Sequence, residues 1–369
     1  MPSLKLQELL RGVLARAGFA SLAKTHAAAG PSSTPLEVDG LSQSAKALWI
    51  AGTATRDAQH EVVIAIVPAD RDVDQTVADI RFFLGGLEGS SADVLDRVVL
   101  PFPSQEVDPY RGLAPHFRIA SARARALHAL ATGEARVVVA SATALVPRLS
   151  APTALTALAL DLHAGSEIDT INLAGMLVDA GFTRIDPVDE HGEFCIRGGV
   201  IDIFPAGDDQ PARIELIGDT VETIRRFDPD TQRSVGEIDR LRIVPLRERP
   251  DAGPDNQDAH RGLVPFFDYL RPERTPSATG GEPGVNPSGA PEKVAGKATQ
   301  LSRMGGRPKR PVFVVSERDE IRDRIERWLA QVAESYSQTT NAPPPDQLLI
   351  SLAEVESHLA SAIHLAELG

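Results

Sequence analysis

Three short runs constrain this chain most: Val-Val-Ile-Ala-Ile-Val at 62–67, Val-Val-Val-Ala at 137–140 and Val-Phe-Val-Val at 312–315. Each is rich in β-branched residues and apolar on both faces, as a strand buried within a parallel sheet must be. Helical patterns lie around them. Leu6, Leu9, Leu10, Val13 and Leu14 recur at helical spacing within 3–16, with Gly18 as a stop. Further helices are expected over 45–56, around Val77, Ile80, Phe83 and Leu84, and over 119–131, with a strand near 97–100. Strands alternating with helices of this length indicate βαβ units, so the fold class is α/β with a mostly parallel sheet.

After about residue 151 the pattern changes. A strand is expected over 155–162, then a short helix capped by Asp169, with Leu173, Met176 and Leu177 inside and Gly181 as its stop. Strands then crowd together at 194–197, 200–204, 212–217, 221–227 and 240–244, separated by turns such as Arg197-Gly198-Gly199. Such spacing predicts antiparallel hairpins in a small α+β domain. From about 246 the βα character resumes, with a strand at 312–315, a helix over 317–333, a strand at 348–350 and a helix over 352–362. The expected organisation is an α/β domain begun by 1–150 and completed by 246–369, with 151–245 inserted. The Pro-, Gly- and Ser-rich stretch 272–311 has no periodicity and reads as a disordered insert.

Composition removes several function classes. A net charge of −13 disfavours general nucleic-acid binding, although 291–310 carries six basic residues and only Glu292 against them. A single cysteine, Cys195, excludes a disulfide framework and a Cys-based zinc site. No apolar run reaches the roughly 18 residues of a membrane span, and the first residues lack a secretory pattern, so a cytoplasmic location without membrane partners is expected.

Catalytic motifs are scarce. Gly40-Leu41-Ser42-Gln43-Ser44-Ala45-Lys46-Ala47 has the spacing of a phosphate-binding loop, but Ala45 replaces a glycine and Ala47 the magnesium-ligating hydroxyl. No convincing strand precedes Gly40. The run 312–315 is followed by Ser316-Glu317, where a nucleotide hydrolase has Asp-Glu. No G-x-S-x-G nucleophile motif occurs. His191, beside Glu190 and Glu193, reads as a turn with solvated charges. His116 reads as a loop histidine without a partner, and Asp108-Pro109-Tyr110 as a turn. Cys195 reads as a small buried hydrophobe. No catalytic residue, metal or cofactor is expected. Arg184 and Arg197 could project from one edge of the small sheet toward carboxylates of a partner, or pair within the domain. Asp202, between Ile201 and Ile203, is expected on the solvent side of its strand. Phe204 is a core residue or an exposed anchor, with core favoured.

The run Gly192-Glu193-Phe194 … Arg197-Gly198-Gly199-Val200-Ile201-Asp202-Ile203-Phe204-Pro205, followed by Arg213-Ile214-Glu215-Leu216 and Phe227-Asp228-Pro229, resembles the small inserted domain shared by the excision-repair protein UvrB and the transcription-repair coupling factors. Upstream, Phe102-Pro103, Glu106, Pro109-Tyr110, Pro115-His116 and the stretch Arg123-Ala124-Arg125-Ala126-Leu127 are similar to the coupling-factor pattern. UvrB would instead carry an intact phosphate-binding loop and a tyrosine-rich hairpin.

The resemblance implies a decayed nucleotide fold whose vestigial site is Gly40, Ala45, Lys46, Ala47 and Glu317. It implies an inserted domain that binds UvrA, the damage-recognition ATPase, through Arg184 and Arg197, with Phe204 and Glu193 as weaker matches. Cys195 stands where UvrB has a further basic residue, which implies fewer charged contacts. In such factors, contacts with RNA polymerase and DNA, and the ATP-dependent translocase motor, belong to regions that would follow residue 369. This stretch is therefore expected to be a non-enzymatic recruiting module, either a fragment or a free-standing relative, with its UvrA surface unmasked. The alternatives are a UvrB-like ATP-dependent enzyme and a DNA-binding accessory protein using 291–310.

Overall fold

The computed structural model describes residues 4–16, 35–55, 62–249, 262–270, 311–340 and 342–367. In chain order the elements are α1 (Leu4–Arg16), β1 (Leu36–Val38), α2 (Gln43–Thr53), β2 (Val63–Val67), α3 (Asp70–Glu88), α4 (Ala92–Val98), β3 (Val99–Phe102), α5 (Phe117–Ala131) and β4 (Val137–Ser141). Next come α6 (Pro152–Ala157), β5 (Leu160–His163), α7 (Leu173–Asp179), β6 (Thr183–Arg184), β7 (Glu193–Arg197), β8 (Val200–Ile203), β9 (Ala212–Ile217), β10 (Thr220–Phe227), β11 (Ser234–Glu237) and β12 (Arg240–Ile243). The chain closes with β13 (Val312–Ser316), α8 (Arg318–Ser337), α9 (Pro345–Leu348), α10 (Leu352–His358) and β14 (Ile363–Leu365).

The apolar runs form the centre of a six-stranded sheet in the order β1-β14-β13-β2-β4-β3, and every pairing in it is parallel. Their alternation divides the core in two. Val63, Ala65, Val67, Val137, Val139 and Val314 pack with Leu10 of α1, Trp49 of α2 and Ile80 of α3. Ile64, Ile66, Val138, Ala140 and Val315 face the other way, toward Leu127 of α5 and Ile321 and Ile325 of α8. Burial on both faces is why these strands carry no polar side.

Strands β6 to β11 form a second six-stranded sheet in simple sequence order. Its pairings are antiparallel except β6 with β7. One face, carrying Phe194, Ile201, Ile203, Ala212, Ile214, Val221 and Ile224, packs on Leu173 and Leu177 of α7. Strands β5 and β12 form a separate antiparallel pair.

The two ends of the small-sheet region are held together. Leu149 and Val264 exchange backbone hydrogen bonds of 2.8 and 2.7 Å, and the Ser150 amide donates to the Glu248 carbonyl at 2.8 Å. Behind them, Arg123 of α5 is fully buried. Its guanidinium donates to Glu248 through Nε and, at 2.8 Å, through Nη2; Nη1 donates to the Pro103 carbonyl at 2.6 Å, and the group lies 4.0 Å from the Phe102 ring centroid.

Several elements differ from the sequence reading. A strand, β1, does precede Gly40; its three residues were hidden beside a Gly-, Pro- and Ser-rich loop. The strand expected over 155–162 is a helix opened by Pro152, with β5 only afterwards, because proline favours the first helical turn. The strand near 97–100 begins only at Val99, since α4 runs through Val98. The strand expected at 348–350 is the end of α9 followed by a bridge from Leu349 to Pro147. The helix expected over 352–362 ends at His358, and a strand that the sequence did not suggest, β14, follows at Ile363–Leu365. All but Pro311 of the 272–311 stretch, and the whole 291–310 basic run, lie outside the described residues.

Removing one partner of a buried, multiply bonded ion pair leaves an uncompensated charge. Glu248→Ala should therefore lower stability by about 3–5 kcal/mol in urea unfolding.

Candidate interaction surface

Strand pairing places the two sequence-selected arginines on one edge. Arg184 lies opposite Phe194 in the β6–β7 pairing, and Arg197 ends β7. Both are exposed. Arg184 donates from Nη2 to the Ile196 carbonyl at 3.4 Å, which brings its guanidinium alongside β7. Arg197 donates to Asp186 at 3.1 Å through Nη1 and to Asp202 at 2.7 Å through Nη2.

Asp202 is not on a solvent side. Ile201 and Ile203 do take the core face, but the opposite face is closed, and Asp202 is 1% exposed. In register it lies between Cys195 and Arg213 on the neighbouring strands. Arg213 donates to it at 2.7 Å from Nε and 2.9 Å from Nη2, and its guanidinium carbon lies 4.9 Å from the Phe227 ring centroid. The hydrogen bond to Asp202 pushes the Arg213 pKa above its ordinary value, because it stabilises the charged form.

Phe204 and Glu193 are not presented outward. Phe204 is buried with Val188, Cys195 and Phe227. Glu193 is also buried, and its Oε2 accepts from the Asp189 and Glu190 amides at 3.0 and 2.9 Å, so it staples the loop before β7. His191 is not a solvated turn residue. Its ring stacks between Phe204 and Phe117, at centroid distances of 3.8 and 4.9 Å, and Nε2 lies 2.8 Å from the Asp208 carbonyl. That stack joins the small sheet to α5. His116 does have a partner: it caps α5, with Nδ1 accepting from the Arg118 amide at 3.2 Å. Asp108 makes the expected turn, accepting from the Tyr110 amide at 2.9 Å.

The second group of sequence-selected residues meets at the carboxyl ends of the parallel strands. After β1 the chain turns at Gly40, whose φ of 83° suits glycine, and Ser42 caps α2. Lys46 on α2 is buried and bonded to Glu317, which follows β13. Glu367, just past β14, lies 3.6 Å from the same ammonium, and its amide donates to Glu317 at 2.9 Å. Ala47 is buried and has no side-chain oxygen. The structure thus brings Gly40, Ala45, Lys46, Ala47 and Glu317 to one end of the sheet, with the lysine held by carboxylates. Among the described residues, no group of three His, Cys, Asp or Glu side chains could hold a metal, and no helix is long and apolar enough to cross a membrane.

Sequence reasoning missed Asp186 and Arg213. The signal for Arg213 was available: the alternation that puts Asp202 opposite the core also puts Arg213 beside it.

Cys195 is buried, and burial pushes its thiol pKa up. As the sole cysteine, it should react with a disulfide reagent at neutral pH at least about tenfold more slowly in the native chain than in urea.

Residues 160–248 match the family model described as the UvrB interaction domain. The chain is 35% identical to the transcription-repair-coupling factor of Myxococcus xanthus over 187 residues, covering 50% of this chain and 15% of that protein. It is 32% identical to the Escherichia coli K12 factor over 155 residues, covering 42% of this chain and 14% of the relative. With the Mycobacterium tuberculosis factor the identity is 31% over 221 residues, 57% of this chain and 16% of the relative. The resemblance seen in the sequence is thereby borne out, and the matches span only about a seventh of each relative.

Proposed function

We propose that this chain is a recruiting module of the transcription-repair-coupling type, whose small sheet docks UvrA and so brings nucleotide excision repair to a stalled transcription complex. The observation that carries the reading is the pair of exposed guanidinium groups, Arg184 and Arg197, on the β6–β7 edge of the segment that matches the UvrB interaction domain. Guanidinium forks pair with carboxylates with directional geometry, and complementary charge raises both association rate and specificity. The rigid setting supports this role: β6 and β7 are backed by the α7 core and splinted to α5 by the His191 stack. On this reading, contacts with RNA polymerase and DNA are not made by this stretch.

A second reading, a nucleotide-hydrolysing UvrB-like enzyme, is favoured by the strand–turn–helix path through Gly40. Lys46 argues against it. A triphosphate would have to displace two carboxylates from the ammonium and add its own negative charge beside them. On the proposed reading the site is vestigial.

Two measurements test the proposal. The double variant Arg184→Glu and Arg197→Glu should weaken binding of purified UvrA by at least about 100-fold, as expected when like charges replace complementary ones. An unchanged titration would refute the docking role. Equilibrium dialysis with ATP and magnesium should show no binding to the unmodified chain; saturable binding would favour the enzyme reading.

A further inference from the structure

We propose that Asp186 and Asp202 act in opposite directions on Arg197: Asp202 positions its guanidinium, and Asp186 occupies the outer nitrogen until a partner's carboxylate replaces it. The inference rests on the reading above that Arg197 meets an acidic protein surface.

The two carboxylates differ in burial, and burial decides their roles. Asp202 is 1% exposed and accepts from three nitrogens of two arginines. Withdrawing any of them would leave a buried negative charge short of donors, so this contact persists. It fixes one nitrogen of Arg197 inward. The strand register sets the arrangement, because Asp202 pairs with Arg213 on β9 while Arg197 is two residues beyond the Asp202 partner on β7.

Asp186 is the reverse case. Its side chain is 50% exposed and that of Arg197 is 49% exposed, and they meet through a single bond of 3.1 Å. Ion pairs this open to water are weak. Asp186 lies just past the end of β6, and its bond to Arg197 places it beside that guanidinium. An arriving carboxylate would take the place of Asp186 without disturbing Asp202. Arg197 is thus oriented in advance, which lowers the entropy lost on docking, and partly occupied, which discourages weak acidic competitors.

The test exploits the fact that Asp186→Asn and Asp202→Asn remove the same charge. If net charge alone governed docking, both would strengthen binding to an acidic partner. In titrations of the full chain with purified UvrA, Asp186→Asn should bind about two- to fivefold tighter. Asp202→Asn should bind at least about tenfold weaker. If Asp202→Asn does not fold, Arg213→Lys takes its place, because it keeps the charge but cannot make the two-pronged bond; the same direction of change is expected. Tightening by both variants, or no tightening by Asp186→Asn, overturns the proposal. If the unmodified chain does not bind UvrA, the docking function falls, and the positioning claim is decided by nitrogen NMR of the arginine side chains in the free chain. Rotation of the Arg197 guanidinium should be slow in the unmodified chain and in Asp186→Asn, and fast in Asp202→Asn or Arg213→Lys. Fast rotation in the unmodified chain overturns the positioning role.

Discussion

The buried contact between Arg123 and Glu248 holds together two parts of the chain that the small sheet would otherwise separate. The parallel sheet is built from strands on both sides of that region, so its halves must meet again after more than a hundred intervening residues. Arg123 sits on α5, before the departure, and Glu248 lies at the return. Satisfying both charges inside the protein requires the two segments to be in one place, with the Pro103 carbonyl and the Phe102 ring completing the enclosure. Such a pair adds little net stability compared with an apolar substitute, but any other arrangement of the ends strands a charge. The adjoining exchange between Leu149 and Val264 then sets the path of the backbone.

The central strands were legible because burial on both faces leaves an unmistakable composition. Residues 62–67, 137–140 and 312–315 each became a strand of the parallel sheet. The edge was not legible. Strand β1 has three residues and β14 also three, one of them His364, and both take strand geometry mainly from their neighbours in the sheet. Propensity over so short a window is weaker than the pairing partners that surround it. The segment 152–163 failed for a different reason. Its leucines fit either period, and Pro152 was the only local cue that the first half is helical.

At the candidate surface, residue type and spacing singled out Arg184 and Arg197 as candidates, but did not say what holds them. Asp202 shows why. Alternation correctly placed it opposite Ile201 and Ile203, yet alternation does not state whether the opposite face is open. Here it is covered by Arg197, Arg213 and a second small cluster around Phe227. His191 was misread for a similar reason, since the ring that stacks on it, Phe117, is far away in sequence. Lys46 and Glu317 were both singled out as remnants of one site, but only the fold shows that they are bonded to each other.

The sheet order also has a consequence for biosynthesis. Among the described strands, β1 pairs with β14 alone, and β14 is wedged between β1 and β13. A chain emerging from the ribosome therefore has no seat for its first strand until almost every described residue has been translated. Until then β1 and the start of α2 wait at an unfinished border, and the earlier strands must persist as a smaller nucleus. Closure of the parallel layer is thus a late event, timed by the arrival of three residues near position 364.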